Sequence, residues 1–463
     1  MSRETARVTV VGAGPAGLAA ARAAAAAGAG VLLIDSEPAP GGQYLRRDAL
    51  AGAGGSARRD RATALPAGVE HLPDTAVWAV EPAPGGGRRL HLRTGPADAP
   101  GRRGRTVDAA ALVLATGAHD RALPFPGWDL PGVYTAGAAQ ALAKEQRIAV
   151  GRRVLLAGTG PFLLPVAGSL IGAGARVRAV LEAGEPVTGW LRDPAGLAAG
   201  AGKLGELAGH LALLARHRVP YRPRTAVVEA HGDGAVRAAT TVRLDRDWNP
   251  VPGTERTVEA DAVCVGFGFT PRTELAVAAG CAMADGFAVV DAAQATSVPG
   301  VFAAGELTGI GGADLAAAEG EVAGAAAARL LGHDARPPLR ALRRVRRGRR
   351  FAAALAAAHP VRPGWRGWLR DDTLVCRCEE VGRAELVGAA RTRQAVGTRS
   401  LKLATRVGLG PCQGRICARN AAELVGDPGL ADGFARRPIA APVRLGELAE
   451  DPAAGAAPGT AEG

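Results

Sequence analysis

Residues 8–37 read VTVVGAGPAGLAAARAAAAAGAGVLLIDSE, and this stretch has the pattern of a strand, a glycine-rich turn, a helix and a second strand. Short runs of valine, leucine and isoleucine at its two ends predict buried strands, and the alanine-rich segment between them predicts the helix. Gly12, Gly14 and Gly17 have the GxGxxG spacing, and Asp35 follows the second strand. A carboxylate at that position can accept hydrogen bonds from ribose hydroxyls. Because strand, turn, helix and acid agree, the stretch predicts a dinucleotide-binding unit.

The glycines of this turn have separate physical roles. We expect Gly12 to permit the tight turn, Gly14 to let the backbone approach a pyrophosphate, and Gly17 to let the helix pack closely on the strand. Pro15 and Ala16 complete the turn into the helix, whose first N–H groups then face the phosphates.

Length and composition set the outer bounds of the interpretation. A chain of 463 residues predicts two or three domains, and a hydrophobic content of 48% is that of a globular protein. Aromatic residues make up only 4% of the chain, so packing must rely on small side chains. The N-terminal apolar stretch lacks a basic region and a cleavage site before it, which predicts a soluble, cytoplasmic protein without a transmembrane segment.

The formal charge is +12, and the sharpest basic cluster is the arginine-rich run at 343–350. Arginines are spread along the whole chain, and no aromatic side chains alternate with this run as single-strand nucleic-acid binders require. We therefore expect no nucleic-acid partner and interpret the run as a solvated linker or a surface that docks a partner.

Several later segments add to the first unit. Residues 41–43, GGQ, close it soon after Asp35, whereas the Gly-, Ala- and Arg-rich segment 50–61 predicts a mobile loop. A buried strand at 110–114 runs into Ala115-Thr116-Gly117, which can bring backbone against a ligand. The next two residues, His119 and Asp120, are interpreted as part of a surface loop.

A further predicted strand, near residue 300, ends at a turn that contains a glycine and an acid. The segment 296–306, TSVPGVFAAGE, predicts an apolar strand that ends at Gly305 and Glu306, ahead of a helix of small residues. Glu306 could bind ribityl or phosphate groups, and the alternative is that it caps the helix.

A second nucleotide-like unit begins at Arg153. It has Gly158 and Gly160 in the turn and Glu182 at the end of its second strand, but Leu163 replaces the third glycine. Leucine there should hold the helix away from the strand and alter the phosphate pocket. Two interpretations stay open: a site for an adenine nucleotide such as ATP or, less favoured, NAD(P)H, and a Rossmann-like unit that has lost its ligand.

These motifs, in this order around an inserted second unit, resemble the two-dinucleotide-binding-domain flavoproteins. The resemblance implies FAD and an α/β, Rossmann-like fold in which residues 1–145 and 266–335 form one discontinuous FAD domain and residues 146–265 the inserted domain. The residues that would bind FAD are Gly12, Gly14, Pro15, Ala16, Gly17, Asp35, Ser36, Gly42, Gln43, Ala115, Thr116, Gly117, Gly305 and Glu306. Beyond them we expect a basic linker at 336–370, a small domain at 371–430 and an Ala/Pro/Gly-rich tail at 431–463.

The cysteines argue against a disulfide reductase. Cys264 and Cys281 stand alone and are interpreted as packing residues, and no redox-active cysteine pair lies near either nucleotide unit. The other four form two close pairs near the C-terminus, and they predict a four-thiolate metal site: Cys376, Cys378, Cys412 and Cys417. A [2Fe–2S] cluster is favoured, because it would give the flavin an electron partner, and structural zinc is the alternative.

The segment 373–417 resembles the small, α-rich Bfd-like [2Fe–2S] domain of the flavoprotein α subunits of hydrogen cyanide synthase, opine oxidases, D-hydroxyproline dehydrogenase and dye-linked L-proline dehydrogenase. The second cysteine pair is wider than in simple Bfd proteins, with four intervening residues. The family implies a hetero-oligomer. A β subunit similar to D-amino acid oxidases would bind the small-molecule substrate and oxidise its C–N bond, and a small ferredoxin-like subunit is a further partner. We assign no catalytic acid or base to this chain.

Three functional hypotheses follow from the sequence. The first is the electron-transferring α subunit of an FAD-dependent amino-acid, imino-acid or opine dehydrogenase. The second is a self-sufficient NAD(P)H-dependent FAD and [2Fe–2S] oxidoreductase, which Leu163 disfavours. The third is a nucleotide-binding structural or regulatory subunit.

Overall fold

The structure is a computed structural model that describes residues 7–46, 57–97 and 99–449. In the first part of the chain the elements are β1 (Val8–Val11), α1 (Pro15–Ala26), β2 (Val31–Ile34), α2 (Ala57–Thr63), β3 (Val69–Leu72), β4 (Thr75–Pro82), β5 (Arg88–Thr94), β6 (Arg103–Ala109), β7 (Ala111–Leu114), β8 (Ala118–Asp120), β9 (Val133–Thr135) and α3 (Ala136–Glu145). They are followed by β10 (Arg153–Gly158), α4 (Leu163–Gly172), β11 (Arg176–Glu182), α5 (Pro186–Leu191), α6 (Pro194–Ala199), α7 (Leu204–Arg216), β12 (Tyr221–Pro223), β13 (Thr225–His231), β14 (Ala238–Arg243), β15 (Arg256–Glu259) and β16 (Ala262–Gly266).

The remaining part returns to the first domain and then continues into the C-terminal region. Its elements are β17 (Phe269–Pro271), α8 (Glu274–Ala278), β18 (Met283–Ala284), β19 (Phe287–Ala288), β20 (Val301–Ala303), α9 (Ala313–Leu330), α10 (Leu339–Ala358), β21 (Leu374–Cys376), β22 (Val381–Gly382), α11 (Arg383–Arg391), α12 (Gly397–Thr405), α13 (Ala418–Val425), α14 (Gly429–Ala435) and α15 (Leu445–Ala449). Short 3-10 helices cover Ala201–Lys203, Gly305–Leu307 and Pro363–Trp368.

The first domain is built on a parallel sheet with the strand order β20-β7-β1-β2-β3. Strands β1, β2 and β7 are apolar and buried along their whole length, as expected for a parallel sheet covered on both faces. Helices α1 and α9 pack against each other at very short range: a Cβ atom on Gly320 would lie 2.0 Å from the carbonyl oxygen of Ala16. The abundance of glycine and alanine in this chain is therefore used for close helix packing.

The second parallel sheet has the order β12-β11-β10-β16-β9 and belongs to the inserted domain. Strand β9 pairs with β16, so the inserted domain takes in residues that precede the boundary expected at 146. Antiparallel sheets β4-β5-β6 and β13-β14-β15 flank the two parallel sheets. This arrangement confirms the mixed α/β, Rossmann-like fold predicted from the sequence.

The basic run at 343–350 differs from the solvated linker that the sequence suggested, because it lies within helix α10. Ala341 and Val345 are buried on one face of this helix, and they pack with Leu315 and Val322 of α9 in one small apolar cluster. Four-residue spacing places such side chains on a single helix face. Most arginines of the run are exposed, whereas Arg349 is half-buried and donates to the buried Glu319 of α9.

The C-terminal region packs on the inserted domain and shares its core. Trp365 and Trp368 are buried with Trp248 and Phe267 in one hydrophobic cluster that also contains Leu386 of α11. Of the expected tail, residues 431–449 are described and include α15, and residues 450–463 lie outside the described residues. The loop expected at 50–61 lies largely outside them too, and the described part, from residue 57, opens helix α2. Among the described helices, none is long and apolar enough to cross a membrane.

Candidate flavin site and cysteine cluster

The first glycine turn joins β1 to α1, and each glycine meets a different environment. Gly12 has a φ of +104°, and a Cβ atom there would lie 2.2 Å from the carbonyl oxygen of Ala115. A Cβ atom on Gly17 would lie 1.7 Å from the carbonyl oxygen of Gly12, whereas one on Gly14 would meet nothing within 4 Å. The turn is therefore packed against protein at Gly12 and Gly17, and it is open at Gly14, where the pyrophosphate of a dinucleotide would approach.

Asp35 lies at the end of β2, beside this turn. Its carboxylate accepts hydrogen bonds from the backbone N–H of Ala13 and, at 2.8 Å, from that of Glu37. The side chain is only partly buried, so its oxygens stay within reach of a ribose hydroxyl. Ser36 follows it on the exposed side of the same bend.

The segment at 41–43 folds back over the glycine turn, as the sequence predicts. The N–H of Gly41 donates to the carbonyl of Ala13 at 2.8 Å. A Cβ atom on Gly42, where φ is +56°, would lie 2.9 Å from the Cα atom of Gly14. Gln43 is turned toward Arg46, whose Nε donates to its side-chain oxygen at 2.9 Å.

The turns after β7 and β20 lie on the other side of β1 from Asp35. Ala115 packs directly on Gly12, as its carbonyl contact shows, and Thr116 Oγ1 donates to the carbonyl of Arg272 at 2.7 Å. A Cβ atom on Gly305 would lie 2.9 Å from the side chain of Ala16. The structure thus brings the predicted turns together at the carboxyl edge of the sheet, where open α/β sheets bind ligands.

Two acids, Glu306 and Glu319, lie at the turn after β20, whereas the sequence pointed to Glu306 alone. The carboxylate of Glu306 accepts a 2.8 Å bond from the N–H of Gly312, the residue before α9, and burial raises its pKa. Glu319, which the sequence reasoning missed, is 1% exposed and accepts bonds from Gly305 N–H at 3.0 Å and Thr308 Oγ1 at 2.8 Å. Its only sequence signal was an acid on the small-residue face of a helix.

A family model described as pyridine nucleotide-disulphide oxidoreductase matches residues 6–322 of this chain. The chain belongs to the pyridine nucleotide-disulphide oxidoreductase family. An opine oxidase subunit from Rhizobium meliloti is 31% identical over 495 residues, which cover 97% of this chain and 88% of that protein. Hydrogen cyanide synthase subunit HcnB from Pseudomonas aeruginosa is 33% identical over 442 residues, which cover 89% of this chain and 90% of that protein.

The fold has a solved counterpart in L-proline dehydrogenase from P. horikoshii, with a TM-score of 0.66, 20% sequence identity, and coverage of 96% of this chain and 79% of that one. These comparisons confirm the resemblance that the motifs indicated. This member of the pyridine nucleotide-disulphide oxidoreductase family is an oxidoreductase of FAD-dependent type. Family and fold support FAD as its cofactor, and the open face at Gly14 with a reachable carboxylate beside it fits that ligand.

The second glycine turn, between β10 and α4, differs from the first in its acid. Glu182 is fully buried, and its carboxylate accepts bonds from Thr159 Oγ1 at 2.6 Å, Gly160 N–H at 2.9 Å and Gly184 N–H at 2.9 Å. Leu163 is also buried and is the first residue of α4. Glu182 is therefore enclosed and bonded to its own turn, whereas Asp35 is only partly buried.

The segment that follows α10 covers this acid. His359 Nδ1 lies 3.8 Å from Glu182 Oε2, and the rings of Trp190 and His359 have centroids 6.0 Å apart. Trp190 also stacks on Phe351 of α10, at 5.6 Å. Glu182 is thus surrounded by protein on both sides, and the two interpretations of this unit, an adenine nucleotide site and a Rossmann-like unit without its ligand, stay predictions.

The four C-terminal cysteines contact one another. Bonds from the Cys417 thiol lower the pKa of Cys376 to about 6 and that of Cys412 to about 5. The same two bonds, with burial, raise the pKa of Cys417 itself. Burial raises the pKa of Cys378, whose thiol contacts both the thiol and the backbone of Cys412. The structure therefore brings together all four cysteines that the sequence singled out.

Backbone N–H groups surround these sulfurs. Those of Gly408 and Glu379 face Cys376, and those of Gly414 and Ile416 face Cys412. Such donors stabilise thiolates and are typical of iron–sulfur sites. Among the described residues, no group of three or more His, Cys, Asp or Glu side chains is arranged so that it could hold a metal ion. Cys264 and Cys281 are buried away from this group, and burial raises the pKa of both.

Proposed function

We propose that this chain is the electron-transferring FAD subunit of a hetero-oligomeric dehydrogenase or oxidase that acts on the C–N bond of an amino acid, imino acid or opine. The proposal is supported by the chain of thiol contacts that links Cys376 to Cys417, Cys417 to Cys412 and Cys412 to Cys378, on a chain that resembles an opine oxidase subunit over 97% of its length. A flavin accepts two electrons from an organic donor, and an iron–sulfur cluster carries one at a time. The two cofactors together would make the chain a relay.

In this proposal the chain's own residues hold the cofactors. The open turn at Gly14 and the carboxylate of Asp35 hold the dinucleotide part of FAD, and Gly305, fixed by Glu319, lies on the opposite side of β1. Cys376, Cys378, Cys412 and Cys417 hold a [2Fe–2S] cluster. A cytoplasmic location, where thiols stay reduced, belongs to the same proposal.

Substrate oxidation is assigned to a partner. The relatives are named as subunits, one of opine oxidase and one of hydrogen cyanide synthase, so we infer that this chain also functions beside another subunit. A partner similar to D-amino acid oxidases would oxidise the substrate there and deliver the electrons to this chain.

The second glycine turn counts against the self-sufficient NAD(P)H oxidoreductase. Glu182 is enclosed and bonded to its own backbone, which disfavours its use as the ribose acceptor for NADH, and Leu163 in place of the third glycine disfavours either nucleotide. We therefore expect anaerobic NADH or NADPH to leave the flavin oxidised. Rapid bleaching of the flavin by either nucleotide would restore the alternative.

The cysteines give the decisive experiment. Anaerobically purified protein should contain FAD and about two iron atoms per chain, as a [2Fe–2S] cluster requires. Cys376→Ser and Cys412→Ser should lose the iron and keep the FAD. Cys281→Ser is the matched control, because this thiol is buried in another core, and it should keep both. Zinc in place of iron, or full iron content in Cys412→Ser, would overturn the relay.

A further inference from the structure

The C-terminal region packs against the segment that follows the Ala115–Gly117 turn, and we call residues 118–128 its seat. The sequence assigned His119 and Asp120 to a surface loop, but they lie in β8, which pairs with β17. Further along, Arg121 donates to Glu423 at 2.6 Å, and Trp128 Nε1 donates to the carbonyl of Leu374 at 2.7 Å. The first of these contacts with the C-terminal region is made by His119, only two residues beyond the flavin-side turn.

His119 bonds directly to the loop between the second pair of cysteines. Its Nε2 lies 2.9 Å from the carbonyl oxygen of Arg415, which stands between Cys412 and Cys417. A carbonyl can only accept, so Nε2 carries the proton and donates. The other ring nitrogen, Nδ1, is buried and has no partner among the described residues. The ring thus has one hydrogen bond, and that bond is to the cysteine loop.

Glu274, at the start of α8, braces the same loop from the flavin domain. It is 8% exposed, and its Oε1 lies 2.5 Å from Arg415 Nε and 3.5 Å from Arg437 NH2. Arg437 in turn donates to the carbonyl of Gln413 at 2.6 Å. The loop is therefore held by its backbone at two carbonyls and by its own arginine side chain.

We propose that His119 and Glu274 are positioning residues that fix the Cys412–Cys417 loop at a set distance from the flavin-side turn. The chain path from Gly117 to this loop is two residues and one hydrogen bond. Electron transfer between two bound groups depends steeply on their separation, so a seat of this kind would set its rate. The role in electron transfer rests on the proposed function, but the contacts that hold the loop are between protein groups alone.

Two substitutions at one position separate the hydrogen bond from the bulk of the ring. His119→Phe keeps a ring and removes the donor, whereas His119→Gln keeps an N–H donor at the end of a flexible side chain. We expect amide hydrogen exchange at 412–417 to be about tenfold faster in the Phe variant, the opening expected for one lost buried hydrogen bond. The Gln variant should return toward the wild-type rate. His217→Phe, at an exposed histidine, is the control and should not change exchange in the loop.

A second readout uses the protein with its cofactors bound. If the loop is displaced, reoxidation of the reduced flavin by the cluster should slow in His119→Phe and recover in His119→Gln, with iron and FAD contents unchanged. Equal hydrogen exchange in wild type and His119→Phe would overturn the positioning role while leaving the relay intact. If wild-type protein contains no iron, the proposed electron relay is wrong. The hydrogen-exchange measurement still tests whether His119 positions the 412–417 loop.

Discussion

Gly14 and Gly17 lie three residues apart in the same turn, but the structure gives them opposite sensitivities to a methyl group. A Cβ atom on Gly17 would lie 1.7 Å from the backbone oxygen of Gly12, and one on Gly14 would meet nothing within 4 Å. Gly14 also has an ordinary φ of −72°. Gly17 is therefore required by the fold, whereas a methyl group on Gly14 would contact no described protein atom.

We predict that Gly17→Ala lowers the free energy of unfolding by about 3 kcal/mol or more, because helix α1 must move off the turn. Gly14→Ala should leave the unfolding free energy within about 0.5 kcal/mol of wild type. It should weaken FAD binding by at least about tenfold, since its methyl enters the space that the pyrophosphate approaches. Urea unfolding of the apoprotein and FAD titration check the two effects.

Each variant is the other's control. If Gly14→Ala unfolds as easily as Gly17→Ala, the open side of the turn is not where this structure places it. If it binds FAD as tightly as wild type, the pyrophosphate does not approach at Gly14.

At the scale of elements, α10 supports the flavin domain through one arginine. Arg349 Nε donates to Glu319 Oε1 at 2.9 Å, and the Glu319 side chain is 2% exposed. The other oxygen of the same carboxylate holds Gly305 and Thr308. A buried carboxylate that loses its cation is left uncompensated, and this cost is larger than the gain from making the pair.

We predict that Arg349→Gln lowers the free energy of unfolding by about 2 kcal/mol, since Glu319 keeps its two other donors but loses its charge partner. Arg346→Gln is the matched control. Arg346 is exposed and makes no ion pair with any described residue, so its loss should cost less than about 0.5 kcal/mol. Urea midpoints of the two variants, measured side by side, make the comparison, and equal midpoints would contradict a stabilising role for the Arg349–Glu319 pair.

At the scale of the whole molecule, the last described helix is tied back to the first domain. Arg102 and Glu447 form a two-pronged ion pair, with both distances at 2.7 Å. Their side chains are only 10% and 7% exposed. The hydrogen bond from Arg102 holds the pKa of Glu447 at about 2, below its usual value of 4.5.

This shift predicts a pH dependence with a definite sign. Because the folded-state pKa is depressed, the pair stabilises the protein fully above a pH of about 4.5, and this contribution is lost as the pH falls toward about 2. Glu447→Gln should therefore be less stable than wild type at neutral pH, and the difference in urea midpoint should shrink steadily through that window. A difference that stays constant down to about pH 2 would contradict the assignment of the shift to this pair.

Much of the flavin site was predictable because its signals are local. Each of its motifs can be recognised from a few neighbouring residues: the GxGxxG turn, the acid after β2 and the glycines at 42, 117 and 305. The structure brings these segments together at one sheet edge. The cysteine pairs were found in the same way, from spacing alone. Residues that act across long sequence separations were missed, and Glu319 and Glu274 are the examples.

The interpretation of 119–120 as a surface loop was wrong because it considered only the residues near it in the chain. Residues 118–120 carry no local signal that β17, about 150 residues later in the chain, pairs with them, or that Arg415, 296 residues after His119, bonds to His119. The interpretation of the run at 343–350 as a solvated linker overlooked the buried face of α10 for the same reason, since that face, Ala341 and Val345, is small. Its interpretation as a surface that docks a partner stays a prediction.

By itself, the sequence determined the Rossmann-like units, the open turn at Gly14 and the gathering of four thiols, because backbone conformation and spacing are written into neighbouring residues. Only the tertiary structure decided what surrounds the acid of each glycine turn and where the cysteine loop lies. Glu182 is closed off by its own backbone and by His359 from a distant segment. The loop at 412–417 is held by His119 and Glu274. Both outcomes depend on packing between parts of the chain that no local pattern relates.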